Sequence, residues 1–148
     1  IDLAETTLRI HGGGAAIAAP QISVIKRFIV INFAGEYLEL INPEIIDRSG
    51  EVEDVEGCLS MPGYIGLVTR AKTVTVKYQD RFGEFFEIKR KGEMARCLQH
   101  EIDHLNGILY IDRMIDDFIF NEDESTKIAV ADLHEITPKP AKKILKML

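Results

Sequence analysis

The chain has 148 residues, enough for one domain with a sizeable hydrophobic core. Its 46% hydrophobic and 28% charged residues are the proportions of a globular protein, and no apolar run reaches the roughly 20 residues that span a bilayer. A net charge of −6 argues against generic nucleic-acid binding, the opening residues do not read as a secretory leader, and two cysteines do not make a disulfide framework.

Residues 2–11 read as a helix, with Asp2 as N-cap, Glu5 three residues on as in a capping box, and Gly12-Gly13-Gly14 as its stop. Ala15 to Gln21 is a run of small residues with Pro20, a stretch that lets another backbone or a ligand come close. Residues 27–33 are β-branched and apolar and predict a strand. A turn at Ala34-Gly35-Glu36 leads to a second strand at 37–41, broken at Asn42-Pro43 and continued at 44–48. Ser49-Gly50 predicts a further turn, and the alternation over 51–55 an edge strand. Met61-Pro62-Gly63 predicts a turn before a short extended piece at 64–69. Residues 72–79 and 84–89 alternate cleanly on either side of Asp80-Arg81-Phe82-Gly83, the clearest hairpin in the chain. A helix is predicted at about 92–105 and a short strand at 108–111. The segment 121–125 reads as a loop or helix start, 126–136 as helical, and 141–148 as a short amphipathic helix after Pro138-Lys139-Pro140. The lysines at 139, 142, 143 and 146 are read as a solvated basic face. The order of elements predicts an α+β fold, with mainly antiparallel β-sheets packed around a central helix, not alternating βαβ units.

That central helix carries Gln99-His100-Glu101-Ile102-Asp103-His104. Residues four apart share a helix face, so His100 and His104 can offer ring nitrogens to one metal ion. Glu101 lies about 100° round the helix from His100, beside such an ion, where a general base for a bound water belongs. Met94, Leu98, Ile102 and Leu105 recur at helical spacing and predict a buried stripe, with Gly107 as the C-terminal stop.

Two histidines do not complete a catalytic site, which takes three protein ligands and leaves a place for water. The candidates are Cys58, Cys97 and the acids. Cys97 precedes His100 by three residues, and a site using both cysteines would be closed and structural, leaving Glu101 without a role. Cys58 follows Gly57 beside a Pro-Gly turn and is the better placed. A zinc endopeptidase shares the His-Glu-x-x-His pattern but takes a later His or Glu, and His134 is the only histidine further on.

With these residues the chain resembles the peptide deformylase family. The resemblance rests on Gln99 to His104, on Glu56-Gly57-Cys58-Leu59-Ser60, and on Gly14-Ala15-Ala16-Ile17-Ala18-Ala19-Pro20-Gln21, where the family's second glycine is replaced by Ala16. It covers roughly residues 1–114 and implies a peptide-deformylase-like fold, with 1–148 as one catalytic domain and 115–148 as a less defined tail. It also implies a metallohydrolase that removes the formyl group from formyl-methionine of nascent polypeptides. Cys58, His100 and His104 would hold one divalent ion, Fe2+ by preference, with Zn2+, Ni2+ or Co2+ able to take its place. Glu101 would move a proton between metal-bound water and the leaving amine, which is worth about 10²–10⁴ in rate. Gln21 and the Leu59 backbone N–H would meet the oxyanion. Gly14, Ala16 and Gly57 would lie along the substrate, and Asp103 and Glu56 would orient the imidazoles. A metal-binding homologue without activity is the alternative. The implied partners are formylated nascent peptides and the ribosome, with no membrane. The implied place is a bacterial cytoplasm, or an organelle or phage where formylated initiation also occurs.

Overall fold

The computed structural model describes residues 15–121 and 126–135. The helices predicted at 2–11 and 141–148, the glycine stop with Gly14, and most of the 121–125 loop lie outside them. The described strands form one antiparallel sheet. They are β1 (Ala16–Ala18), β2 (Phe28–Phe33), β3 (Glu36–Cys58), β4 (Met61–Gln79), β5 (Phe85–Lys91), β6 (Phe118–Asn121) and β7 (Lys127–Ala129). Their order is β1-β2-β3-β4-β6-β7, with β5 also paired to β4. Helix α1 spans Gly92–Leu105 and packs on β1, β2, β4 and β5, so the predicted α+β arrangement is the one found.

The tight hairpins fall where the sequence places them. Ala34 and Gly35, with φ of 53° and 81°, join β2 to β3 in the left-handed conformation that a two-residue hairpin favours. Asp80 closes the β4–β5 turn by accepting the backbone N–H groups of Phe82 (2.8 Å) and Glu84 (3.0 Å).

Three predicted boundaries fall differently in the structure. Asn42-Pro43 and Ser49-Gly50 do not end a strand. β3 runs through both for 23 residues, with register shifts between Ile41 and Glu44 and between Ile45 and Asp47. A straight strand of that length would reach about 75 Å, so irregular positions such as Asn42 (φ 50°) and Gly50 (φ 63°) occur within it, where bulges bend a strand without ending it. The connection from β3 to β4 is likewise at Leu59-Ser60, and Met61-Pro62-Gly63 already belongs to β4. Two tail expectations are also corrected. Residues 110–113 form a 3-10 turn where a strand is predicted. Residues 127–135 form β7 and a 3-10 segment where a helix is predicted, because β6 offers β7 an open edge.

Helix α1 buries Met94, Leu98 and Ile102 against Ala16, Ala18, Ile29, Ile31, Leu40, Val74 and Val76. It ends as predicted at Gly107 (φ 73°), which donates to the His104 carbonyl while Ile108 donates to that of Asp103, a Schellman motif. Gln99 fastens the helix to β4 edge-on. Its side chain accepts the Ala71 N–H at 3.0 Å and donates to the Ala71 carbonyl at 2.9 Å.

Candidate metal centre

Helix α1 and the end of β3 meet at the site. Cys58 is the last residue of β3, and the chain reverses immediately after it. This sets its thiol against the helix face that carries both histidines. Donor atoms of Cys58, His100 and His104 all lie within 4.8 Å of one another. Cys58 Sγ is 3.2 Å from His104 Nε2, and the two imidazoles meet edge to face with centroids 4.7 Å apart. One thiolate and two imidazoles is a donor set that suits a first-row divalent ion and leaves a fourth position for water. Cys97 is not part of this convergent group.

Among the donors the electrostatics favour the ligating thiolate of Cys58. Burial lowers the His100 imidazole, but its bonds to Cys58 and Glu56 outweigh that and raise it to about 10, so an ion would take the place of a proton there. Burial pushes the Cys58 thiol up, but His100 and His104 outweigh it and bring it down to about 5. For Cys97 burial acts without such partners and pushes the thiol well above its usual range. His100 Nδ1 faces the Glu56 carboxylate at 2.9 Å, which assigns its N–H to Glu56 and leaves Nε2 for an ion. Burial pushes Glu56 up as well, yet His100 and Arg70 hold it at about 2.

Glu101 is 5% exposed, and its Oε2 has no partner among the described residues. Burial raises its carboxyl to about 7 against the opposing pull of His100 and His104. A buried carboxylate with one empty oxygen beside a donor triad is placed to accept and return a proton near neutral pH.

Gln21 comes from the 3-10 turn Ala19–Ile22 that follows β1. The Ala18 N–H donates to its Oε1 at 2.8 Å, which turns the amide nitrogen toward the site. That nitrogen donates to Ser60 Oγ at 3.1 Å and lies 3.6 Å from Cys58 Sγ. A cleft of about 610 Å3 passes over these groups and is lined by Ala16, Gln21, Gly57, Cys58, Leu59, His100 and Glu101, among others. The methyl of Ala16 belongs both to that lining and to the main core.

Of the two carboxylates expected to orient imidazoles, only Glu56 touches one. Asp103 instead pairs with Arg70 (2.5 Å) and Arg113 (3.0 Å). Arg70 then grips Glu56 through Nε and Nη2, each at 2.9 Å, and Arg96 adds a bond at 2.7 Å. These arginines were not singled out from the sequence, although a signal for Arg70 was there. β4 buries Gly66, Val68, Val74 and Val76 on alternate positions, and Arg70 falls in that inward phase. An inward arginine needs an inward acid. Tyr110, also unforeseen, is fully buried, donates to the Tyr64 carbonyl at 3.2 Å and stacks 6.4 Å from His100.

Comparison with known proteins gives this geometry its relatives. Residues 2–117 match the family model for polypeptide deformylase. The peptide deformylase of Carboxydothermus hydrogenoformans is 54% identical over 112 residues, which is 76% of this chain and 72% of that one. A crystal structure of a peptide deformylase from Legionella pneumophila is 48% identical with a TM-score of 0.71, over 76% of this chain and 68% of the other. A crystal structure of a class I type b peptide deformylase from Acinetobacter baumannii, with Met-Ala-Ser bound, is 38% identical with a TM-score of 0.69, over 75% of this chain and 76% of the other. The thiol at the end of β3 and the two histidines of α1 thus sit in a chain that belongs to the polypeptide deformylase family.

Proposed function

We propose that Cys58, His100 and His104 hold one divalent ion and that Glu101 carries the proton in hydrolysis of the formyl amide of formyl-methionine peptides. Family membership makes the chain a metal-dependent hydrolase acting on formylated nascent polypeptides. The observation that carries the residue roles is the convergence of the three donors within 4.8 Å next to a buried Glu101 oxygen that has no partner among the described residues. Met-Ala-Ser, bound in the Acinetobacter relative, is what a formyl-Met-Ala-Ser substrate leaves after the formyl group is gone.

When bound, the ion would supply Lewis-acid polarisation of the formyl carbonyl and lower the pKa of a coordinated water toward about 7. Glu101 takes the proton from the attacking water and passes it to the departing amine. Its carboxyl, raised to about 7 by burial, suits both halves of that task. Gln21 offers an amide N–H to the developing oxyanion, and its Oε1 is already anchored by the Ala18 N–H, so the donor costs little to orient. The Leu59 backbone N–H is the second donor in this reading. Among the described residues β1 pairs only with β2, so the peptide can lie along its other edge past Ala16, with Gly57 leaving room for its backbone. Glu56 fixes the tautomer of His100.

The ion in this reading is Fe2+, with Zn2+, Ni2+ or Co2+ able to use the same donors. The chain acts as one catalytic domain on nascent chains as they leave the ribosome, in a bacterial cytoplasm. The relatives are bacterial, and no helix of the described residues is long and apolar enough to cross a membrane. The test is release of formate from formyl-Met-Ala by protein purified under conditions that protect Fe2+. Turnover that depends on the ion is expected. Its absence from fully loaded protein would leave only the metal-binding, non-catalytic reading.

A further inference from the structure

Arg96 has no part in the proton chemistry, yet few side chains in the molecule are so fully engaged. It is 7% exposed and lies one helical turn before His100, on the same face of α1. Its Nη1 donates to Glu56 Oε1 at 2.7 Å and to the Val68 carbonyl at 3.1 Å, and its Nη2 donates to the Val52 carbonyl at 2.9 Å. One guanidinium therefore joins the helix, the backbones of β3 and β4, and the carboxylate that orients His100. Glu56 does not need Arg96 to stay ionised, because Arg70 already makes two bonds to it. What Arg96 adds is the tie between elements. The histidines ride on α1 and the thiol on the end of β3. Metal–ligand bond lengths tolerate only about 0.2 Å of error.

We propose that Arg96 is a positioning residue of the metal site, holding Glu56 against His100 and setting α1 at the distance from β3 where both imidazoles meet Cys58. The proposal rests on the ligand set given above. A lysine there would keep the charge but not the planar fork that reaches the Glu56 carboxylate and two carbonyls at once.

The experiment strips the full chain of metal and titrates Zn2+ against a chromogenic chelator, with kcat and KM measured on reloaded protein. The variants are Arg96→Met, Arg96→Lys, Arg27→Ala and Cys58→Ala. Arg27 is the purely structural reference, since it ties the other end of α1 by donating to the Leu105 carbonyl (2.9 Å) and to Asn106 Oδ1 (3.0 Å). Arg96→Met should weaken Zn2+ binding about 10–100-fold, the size seen when groups that orient a ligand are removed. It should also lower kcat more than it raises KM, and Arg96→Lys should recover part of both. Arg27→Ala should lower the thermal midpoint and leave Zn2+ binding unchanged. Wild-type Zn2+ affinity in Arg96→Met, with a fall in thermal midpoint like that of Arg27→Ala, would overturn the proposal. So would a rise in KM alone. If Arg96→Met does not fold, wild-type Zn2+ affinity in Arg96→Lys would overturn it instead. Wild-type affinity in Cys58→Ala would bring down the ligand set itself, and the positioning role with it.

Discussion

Glu56 stands between two clusters that handle charge in opposite ways. Behind it, Arg70, Arg96, Asp103 and Arg113 close on one another, so that both acids and the buried guanidiniums find partners. In front of it, Cys58, His100 and His104 converge beside a cleft that Glu101 also lines, and one oxygen of Glu101 has no partner among the described residues. The rear cluster is satisfied and therefore stiff. The front cluster is incomplete in protein atoms alone, as a site must be if an ion and a substrate are to complete it. A buried, unsatisfied group of this kind survives only where its neighbours are over-determined. The His100–Glu56 bond connects the two.

The largest effects are expected at the front. Cys58→Ala removes one of three ligands and should cost more than about 100-fold in metal affinity, above the range for groups that merely orient a ligand. Metal content after gel filtration reads this directly. Glu56→Gln removes the charge that joins the clusters while keeping the shape. It should lower metal affinity about 10–100-fold and also destabilise the fold, because Arg70 and Arg96 stay buried facing a neutral amide. Chelator competition and urea unfolding of the same variant separate the two losses. Equal urea midpoints for Glu56→Gln and wild type would mean that the rear cluster does not depend on this acid.

The smallest effect belongs to an ion pair outside both clusters. Arg81 holds the Glu39 carboxyl below its usual range, against the opposing push of burial. A lowered carboxyl contributes stability above its unfolded value of 4.5, and that contribution is lost as pH falls below it. Arg81→Met should therefore flatten the pH dependence of stability slightly below pH 4.5. Arg81 is 48% exposed, so solvent screening keeps the effect small. Urea midpoints from pH 7 down to 3 measure it.

The front cluster could be read in the sequence and the rear one could not. His100, Glu101 and His104 carry their geometry in their spacing, because helix period alone puts them on adjoining faces. The Gly107 stop and the Asp80 turn were visible for the same reason, since local chemistry decides them. The partners of Arg70 are 14 and 33 residues away, on β3 and α1, and no local pattern names them. Only the inward phase of Arg70 in β4 announced that a buried acid must exist. The length of β3 was hidden by Pro43 and Gly50, which usually end strands. Here the long partner β4 pairs past both and turns them into bends. The role expected of Asp103 failed for a related reason. An acid next to a ligand in sequence need not touch the imidazole, and Asp103 faces Arg70 and Arg113 instead.

The most direct measurement takes one preparation of Glu101→Gln and asks two questions of it. Metal content should equal that of the wild type, because Glu101 is not among the three converging donors. Formate release from formyl-Met-Ala should fall by about 10²–10⁴, the value of a positioned acid–base group. Wild-type turnover in that preparation would contradict the assignment of Glu101 as the proton carrier. Loss of the ion along with turnover would show that Glu101 is a ligand and that the front cluster has been divided wrongly.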